Sequence, residues 1–238
     1  MITIRKSQDR GHANHGWLDS YHSFSFAEYY DSAHMGYSVL RVINEDKIAA
    51  GGGFGMHSHH DMEIITYMLA GELTHQDSMG NGSVIRTGNV QRMTAGSGIR
   101  HSEINASAGS EAHLLQIWIT PAQTKLVPSY EEKHFSDEQK HNQWCLIASP
   151  DGREGAITIQ QDVDLYATVL DIERKASVSL QQQRCAYLQV VAGQVLCAGN
   201  LLSAGDAAKI ENESSIEVTA QSNAEILWFD LPMLDGQI

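Results

Sequence analysis

Positive charge is scarce in this chain of 238 residues, where 16 Lys and Arg stand against 29 Asp and Glu for a formal net charge of −13. Such a surface repels nucleic-acid phosphates and anionic lipid, so neither is an expected partner, while a protein partner stays open. Cysteine is also rare. Cys145, Cys185 and Cys197 form an odd set with no C-x-x-C pair, which fits small buried hydrophobes in a reducing compartment better than a disulfide framework or a redox thiol. No apolar run is long enough to span a bilayer, and the opening MITIRKSQDRGHANHGW lacks the apolar segment of a signal peptide; the expected location is the cytoplasm. Long helical periodicity and heptads are missing too, which argues against a coiled-coil dimer.

What is present is β-structure. From Tyr37 onward, short β-branched or aromatic runs such as SVLRVI, IITYML, LLQIWI, YLQVVA and ILWFDL alternate with glycine-rich turns, the spacing of an all-β sandwich or barrel. Length alone allows one domain or two, but internal similarity favours two copies of one module. MLAGEL at Gly71 matches VVAGQV at Gly193, and RTGNVQRM at Gly88 matches SAGDAAKI at Gly205,. The polar segment KLVPSYEEKHFSDEQKHN reads as a linker, giving expected domains at 1–135 and 136–238.

All twelve histidines lie at or before His141, so one module is chemically specialised. His57-x-His59 precedes a strand-like run and His101-x-Glu103 follows a glycine turn. Residues i and i+2 of a strand share a face, so each triplet presents two ligands together, and the intervening hairpins can bring the pairs into one barrel. Three imidazoles and a carboxylate suit a borderline divalent ion: Fe(II), Ni(II), Co(II), Mn(II), Cu(II) or Zn(II). An octahedral ion would keep two open positions. Counting from the glycines of the second module lands on Ser179, Gln181, Val218 and Ala220, none a good ligand, so one metal per chain is expected. His60 faces away on the same strand. His12, His15 and His22 carry no assignable chemistry and read as structural, and His75 and His113 as satisfied by hydrogen bonds within strands. Arg92 and Arg100, the only basic residues near the site, read as solvated.

The segments RGHANHGWLDSYHSFSFAEYYD, MGYSVLRVINEDKI, GGGFGMHSHHDMEIITYMLAGELTHQDSMGN and QRMTAGSGIRHSE resemble the pirin family of the cupin superfamily over most of residues 5–120. The resemblance implies an all-β bicupin with metal in the N-terminal barrel only, held by His57, His59, His101 and Glu103, Fe(II) being the first expectation. Glu63 stands one residue early for the carboxylate of general cupin motifs, so Glu63 and Asp61 are expected to accept hydrogen bonds from ligand N–H groups instead. Two activities are implied. One is that of quercetin 2,3-dioxygenases, which open a flavonol ring with O2 and release CO, with Glu103 as general base. The other is non-catalytic regulation by contact with a transcription factor or metabolic enzyme, for which a narrow barrel mouth beside an apolar patch would speak. A lyase or isomerase acting on a sugar or keto acid would want basic residues around the site.

Overall fold

The structure, a computed structural model, describes residues 1–234. Its strands form two copies of one architecture, each a seven-stranded antiparallel-dominated sheet facing a four-stranded one. In the N-terminal half the large sheet runs in the order Ser129–His134, Asn89–Thr94, Glu63–Ala70, Ala112–Ile119, Leu40–Ile48, Leu18–His22, Gly11–Asn14. The small sheet runs Gly53–His59, Ile99–Ile104, Glu72–Asp77, Gly82–Arg86. In the C-terminal half the small sheet, Lys175–Ser179, Ser215–Ala220, Gln194–Cys197, Asn200–Ser203, repeats that chain order. The glycine matches mark equivalent turns: φ is +75° at Gly71 and +73° at Gly193, and +84° at Gly88 and +83° at Gly205. A Cβ at Gly71 or Gly193 would also collide with a backbone carbonyl oxygen, of Glu111 and Asn223 respectively, so these turns accept only glycine.

Two expectations need correction. Residues 1–5 do not stay with the first domain: Ile2–Arg5 pairs antiparallel with Ala207–Glu211 at the edge of the C-terminal large sheet. Ile2 and Ile4 pack on the C-terminal core, and an alternating pattern of this kind fits any half-covered edge without saying whose. The segment read as a linker contains Ser129–His134, which pairs with Asn89–Thr94 as the edge of the N-terminal sheet, and a four-residue helix, Asp137–Lys140, begun by a Ser136/Gln139 capping box. Its charged side chains suit an edge strand, where one side of the ladder stays open. Ser129–His134 and Ile2–Arg5 occupy the same place in the two barrels.

The large sheets pack face to face. Ile65, Tyr67, Leu115 and Ile117 of one and Leu165, Tyr187, Leu227 and Phe229 of the other belong to a single buried cluster. Alternate residues of the same N-terminal strands, Ile64, Thr66, Met68, Leu114, Gln116 and Trp118, therefore point into the barrel. In the C-terminal barrel the equivalent inward positions, Leu188, Val190, Ile226 and the fully buried Trp228, join Ala176, Val218 and Ala220 in an apolar filling. Strand pairing puts Ala176, not Ser179, across from Val218, so the sequence count was out of register by three, and Gln181 lies beyond the strand.

Polar groups cross the interface as well. Arg92, expected in solvent, is buried: its Nε donates to the Thr158 carbonyl at 2.8 Å, Nη1 to Ser129 at 2.6 Å and Nη2 to Glu131 at 3.2 Å. Nη1 also donates to Thr94 Oγ1 at 3.0 Å, so Arg92→Ala takes the guanidinium from four partners and is expected to cost about 3 kcal/mol,. Urea unfolding at an unchanged m-value measures it; a shift below about 0.5 kcal/mol would mean that the clamp contributes nothing net.

Candidate metal centre

The short sheet places the histidines. Ile99–Ile104 pairs with Gly53–His59 so that His101 lies directly across from His57, and a bulge between His101 and Glu103 resets the register to put Glu103 across from Phe54. Bulges re-aim side chains in this way. Ring nitrogens of His57, His59 and His101 lie within 4.8 Å of one another. Glu103 closes a second triangle of the same size with His101 and His75, so the four expected ligands are split over two clusters that share His101.

The electrostatics suit a cation. Burial, then repulsion from His57, lowers the pKa of His59 to about 4, and burial with the neighbouring imidazoles lowers that of His101 to about 3. Both rings are neutral at pH 7 and keep a lone pair for a metal. Both nitrogens of His101 are buried with no partner among the described residues, a cost that a bound ion removes. His57 Nδ1 faces the Gly55 carbonyl at 2.8 Å; an N–H there leaves Nε2 as the free donor. Glu103 accepts from Thr66 Oγ1 at 3.2 Å and Gln116 Nε2 at 3.0 Å, and burial outweighs these bonds to push its pKa up to about 7.

The remaining expectations divide. His60 is 83% exposed in its side chain and stands outside the cluster. His113 is held by Glu45 at 3.1 Å. His75 is not satisfied: it is wholly buried, its Nδ1 has no partner among the described residues, and Nε2 meets Asp77 only at 3.5 Å. Its inward register beside the core residue Leu73 was the readable signal. Among the described residues Glu63 bonds none of the clustered histidines; its strand turns it to the interdomain face, where Oε2 accepts from Thr94 and the Gln160 amide, each at 3.1 Å. Asp61 likewise accepts from the Lys125 amide at 2.6 Å. The three cysteines are buried or half-buried with pKa values raised by burial, as expected of packing residues.

The histidines open on a cavity of about 950 Å³, walled by Trp17, Phe26, Phe54 and Trp118 and by the N-terminal His12, His15 and His22. Among the described residues no lysine or arginine lines it; Arg92 is turned to the interface and Arg100 is exposed, so an anionic substrate finds no countercharge on this wall. The sequence reading missed Asp46, a buried cavity residue hydrogen-bonded by Ser20. Burial, with the charge of Glu103 adding, pushes its carboxyl up to about 7. An unfolded aspartate titrates near about 3.9, so Asp46 supports the fold fully below about pH 4 and that support is lost as pH rises through about 7. In chelator-treated protein, Asp46→Asn, which mimics the protonated acid, is expected to remove from the stability decline between pH 4 and 8 a share on the order of 4 kcal/mol. Urea titrations at both ends measure this, and parallel declines in the two proteins would show that Asp46 ionises normally.

Comparison with known proteins agrees with this architecture. The pirin family model matches residues 3–119 and that of the quercetinase C-terminal cupin domain residues 146–231. The quercetin 2,3-dioxygenase of Escherichia coli K12 is 48% identical over 98% of this chain and 99% of its own; a pirin-like protein of Caulobacter vibrioides is 40% identical over 97% and 99%. The crystal structure of the bacterial pirin YhhW from Escherichia coli in complex with nickel(II) superposes with a TM-score of 0.94 at 46% identity, covering 98% of this chain and 100% of that one. With near-complete coverage at such identity, and two cupin barrels in the matching order, the chain belongs to the pirin family.

Proposed function

We propose that this protein is a metal-dependent dioxygenase that opens the central ring of a flavonol such as quercetin with O2 and releases CO. The observation that carries the reading is the convergence of three imidazoles on the wall of a large aromatic cavity, beside a buried carboxyl able to exchange a proton near neutrality. The naming of the 48% identical Escherichia coli relative supports it.

His57, His59 and His101 would hold one divalent ion, with Glu103 on the adjoining triangle as the acidic donor. Iron(II) is the first choice, and nickel, cobalt, manganese, copper and zinc suit the same donors; the Escherichia coli pirin was crystallised with nickel. When bound, such an ion supplies Lewis acidity toward the flavonol 3-hydroxyl and open positions for small ligands. The protein supplies the rest. Glu103 takes the proton of the 3-hydroxyl, Thr66 and Gln116 fix the carboxylate for that transfer, and Trp118, Phe26 and Phe54 flank the planar ligand and exclude water. A cavity of about 950 Å³ lies at the upper end of the range for small-molecule sites and is roomy enough for three rings. The regulator reading asked for a narrow mouth, and the chemistry of this wall favours catalysis over it.

The test is reconstitution without oxygen, using each of the six ions in turn, followed by quercetin and air. Loss of flavonol absorbance together with CO release is expected with at least one ion and not in His101→Ala. Glu103→Gln is expected to lower turnover at least about tenfold while reducing metal content less. Failure of every ion, with one bound per chain, would sink the dioxygenase assignment; undiminished turnover in Glu103→Gln would sink only the base.

A further inference from the structure

The cavity has a second chemical end. His59 meets Trp118 with ring centroids 5.0 Å apart, Trp118 meets Phe26 at 5.4 Å, and Phe26 meets His22 at 5.4 Å. This line of rings leads from the metal histidines to a polar group on Leu18–His22 and Leu40–Ile48, where Ser20 pairs with Asp46 and His22 with Asn44 across the sheet. The side chains fix one another. Ser20 donates to Asp46 Oδ1, and His22 Nδ1 lies 2.9 Å from Asn44 Oδ1.

Each of the three cavity-facing residues keeps one atom unused. Among the described residues no protein group bonds Asp46 Oδ2, Asn44 Nδ2 or His22 Nε2, and all three residues line the cavity. With Nδ1 donating to Asn44, His22 Nε2 is an acceptor; burial lowers the pKa of this histidine, which keeps the ring neutral. The site thus offers two acceptors and one donor at the end of an aromatic slot. A hydroxyl both donates and accepts, whereas an anion would be repelled by Asp46 and finds no cation on the cavity wall.

We propose that Asp46, Asn44 and His22 form a hydroxyl-recognising subsite that binds a ring of a planar polyphenol other than the one held at the histidines. It would make these residues determinants of specificity, selecting polyhydroxylated flavonols over bare ones. The inference rests on the flavonol reading for its choice of ligand but not on turnover. Leaving buried polar groups unmatched when a ligand lacks its hydroxyls costs affinity as well as selectivity.

Binding is read without chemistry by quenching of Trp17 and Trp118 fluorescence in metal-loaded protein under nitrogen, with quercetin and 3-hydroxyflavone as probes. At pH 8, where Asp46 is mostly ionised, quercetin is expected to bind about tenfold more tightly, the worth of one hydrogen bond to a charged group, and Asp46→Asn to close most of that gap. Equal affinities in the unaltered protein, no binding of either probe, or a gap that survives Asp46→Asn would overturn the subsite. The probe comparison on unaltered protein stands even if the variant fails to fold. Admitting air to the same samples separates the two claims: consumption of both flavonols without a gap sinks the subsite alone, and a gap without consumption sinks the dioxygenase reading alone.

Discussion

Each central strand of the N-terminal large sheet is buried on both faces, and the two faces meet different demands. Glu63–Ala70 and Ala112–Ile119 show one row of side chains to the other domain and the next row to the barrel interior. The outward row must be apolar to bury itself against Tyr187 and Phe229, and a one-residue slip would exchange the rows. The interdomain core therefore locks the register of the inner row. That register puts Thr66 beside Gln116 and Gln116 beside Asn44, an inward polar row running beneath Glu103.

The row explains how a wholly buried carboxylate is tolerated at the site. A lone acid in an apolar barrel would stay protonated. Hydrogen bonds from Thr66 and Gln116 pull the pKa of Glu103 back toward the physiological range while burial pushes it upward, and the balance is about 7. The same opposition on Asp46, where Ser20 is the donor, ends at a similar value. Two acids on one cavity wall are thus held near the point of proton exchange, Glu103 beside the histidines and Asp46 within reach of its charge.

Much of this was legible before any coordinates. The alternation of short β-runs, the paired glycine turns and the two His/Glu triplets specify repeat, barrel and cluster, because those features depend on local periodicity. What stayed hidden depends on pairing between distant strands. Whether Arg92 and Glu63 meet solvent, the clustered histidines or a second domain is decided by which face is covered, and one module's sequence does not say. His75 enters only because Glu72–Asp77 pairs with Ile99–Ile104 and sets it opposite Glu103. The polar interruptions of apolar strands, Thr66 in EIITYML and Gln116 in LLQIWI, were visible and unread; a hydrogen-bonding residue amid a buried run needs a partner and so marks what it faces.

The C-terminal barrel shows what the site would be without its chemistry. Its small sheet has the same strand order, yet Ala176 and Val218 stand across from each other where His57 and His101 do in the first barrel, and Trp228 fills the interior. A dense apolar filling stabilises a barrel more cheaply than partnerless imidazoles do. The second module, with its sheet pressed on the outer face of the first, supplies the burial that an open, polar-lined barrel gives up. Division of labour between a packed copy and a hollow one follows from that balance: the hollow barrel can hold unsatisfied donors and titrating acids because its large sheet is stabilised from behind.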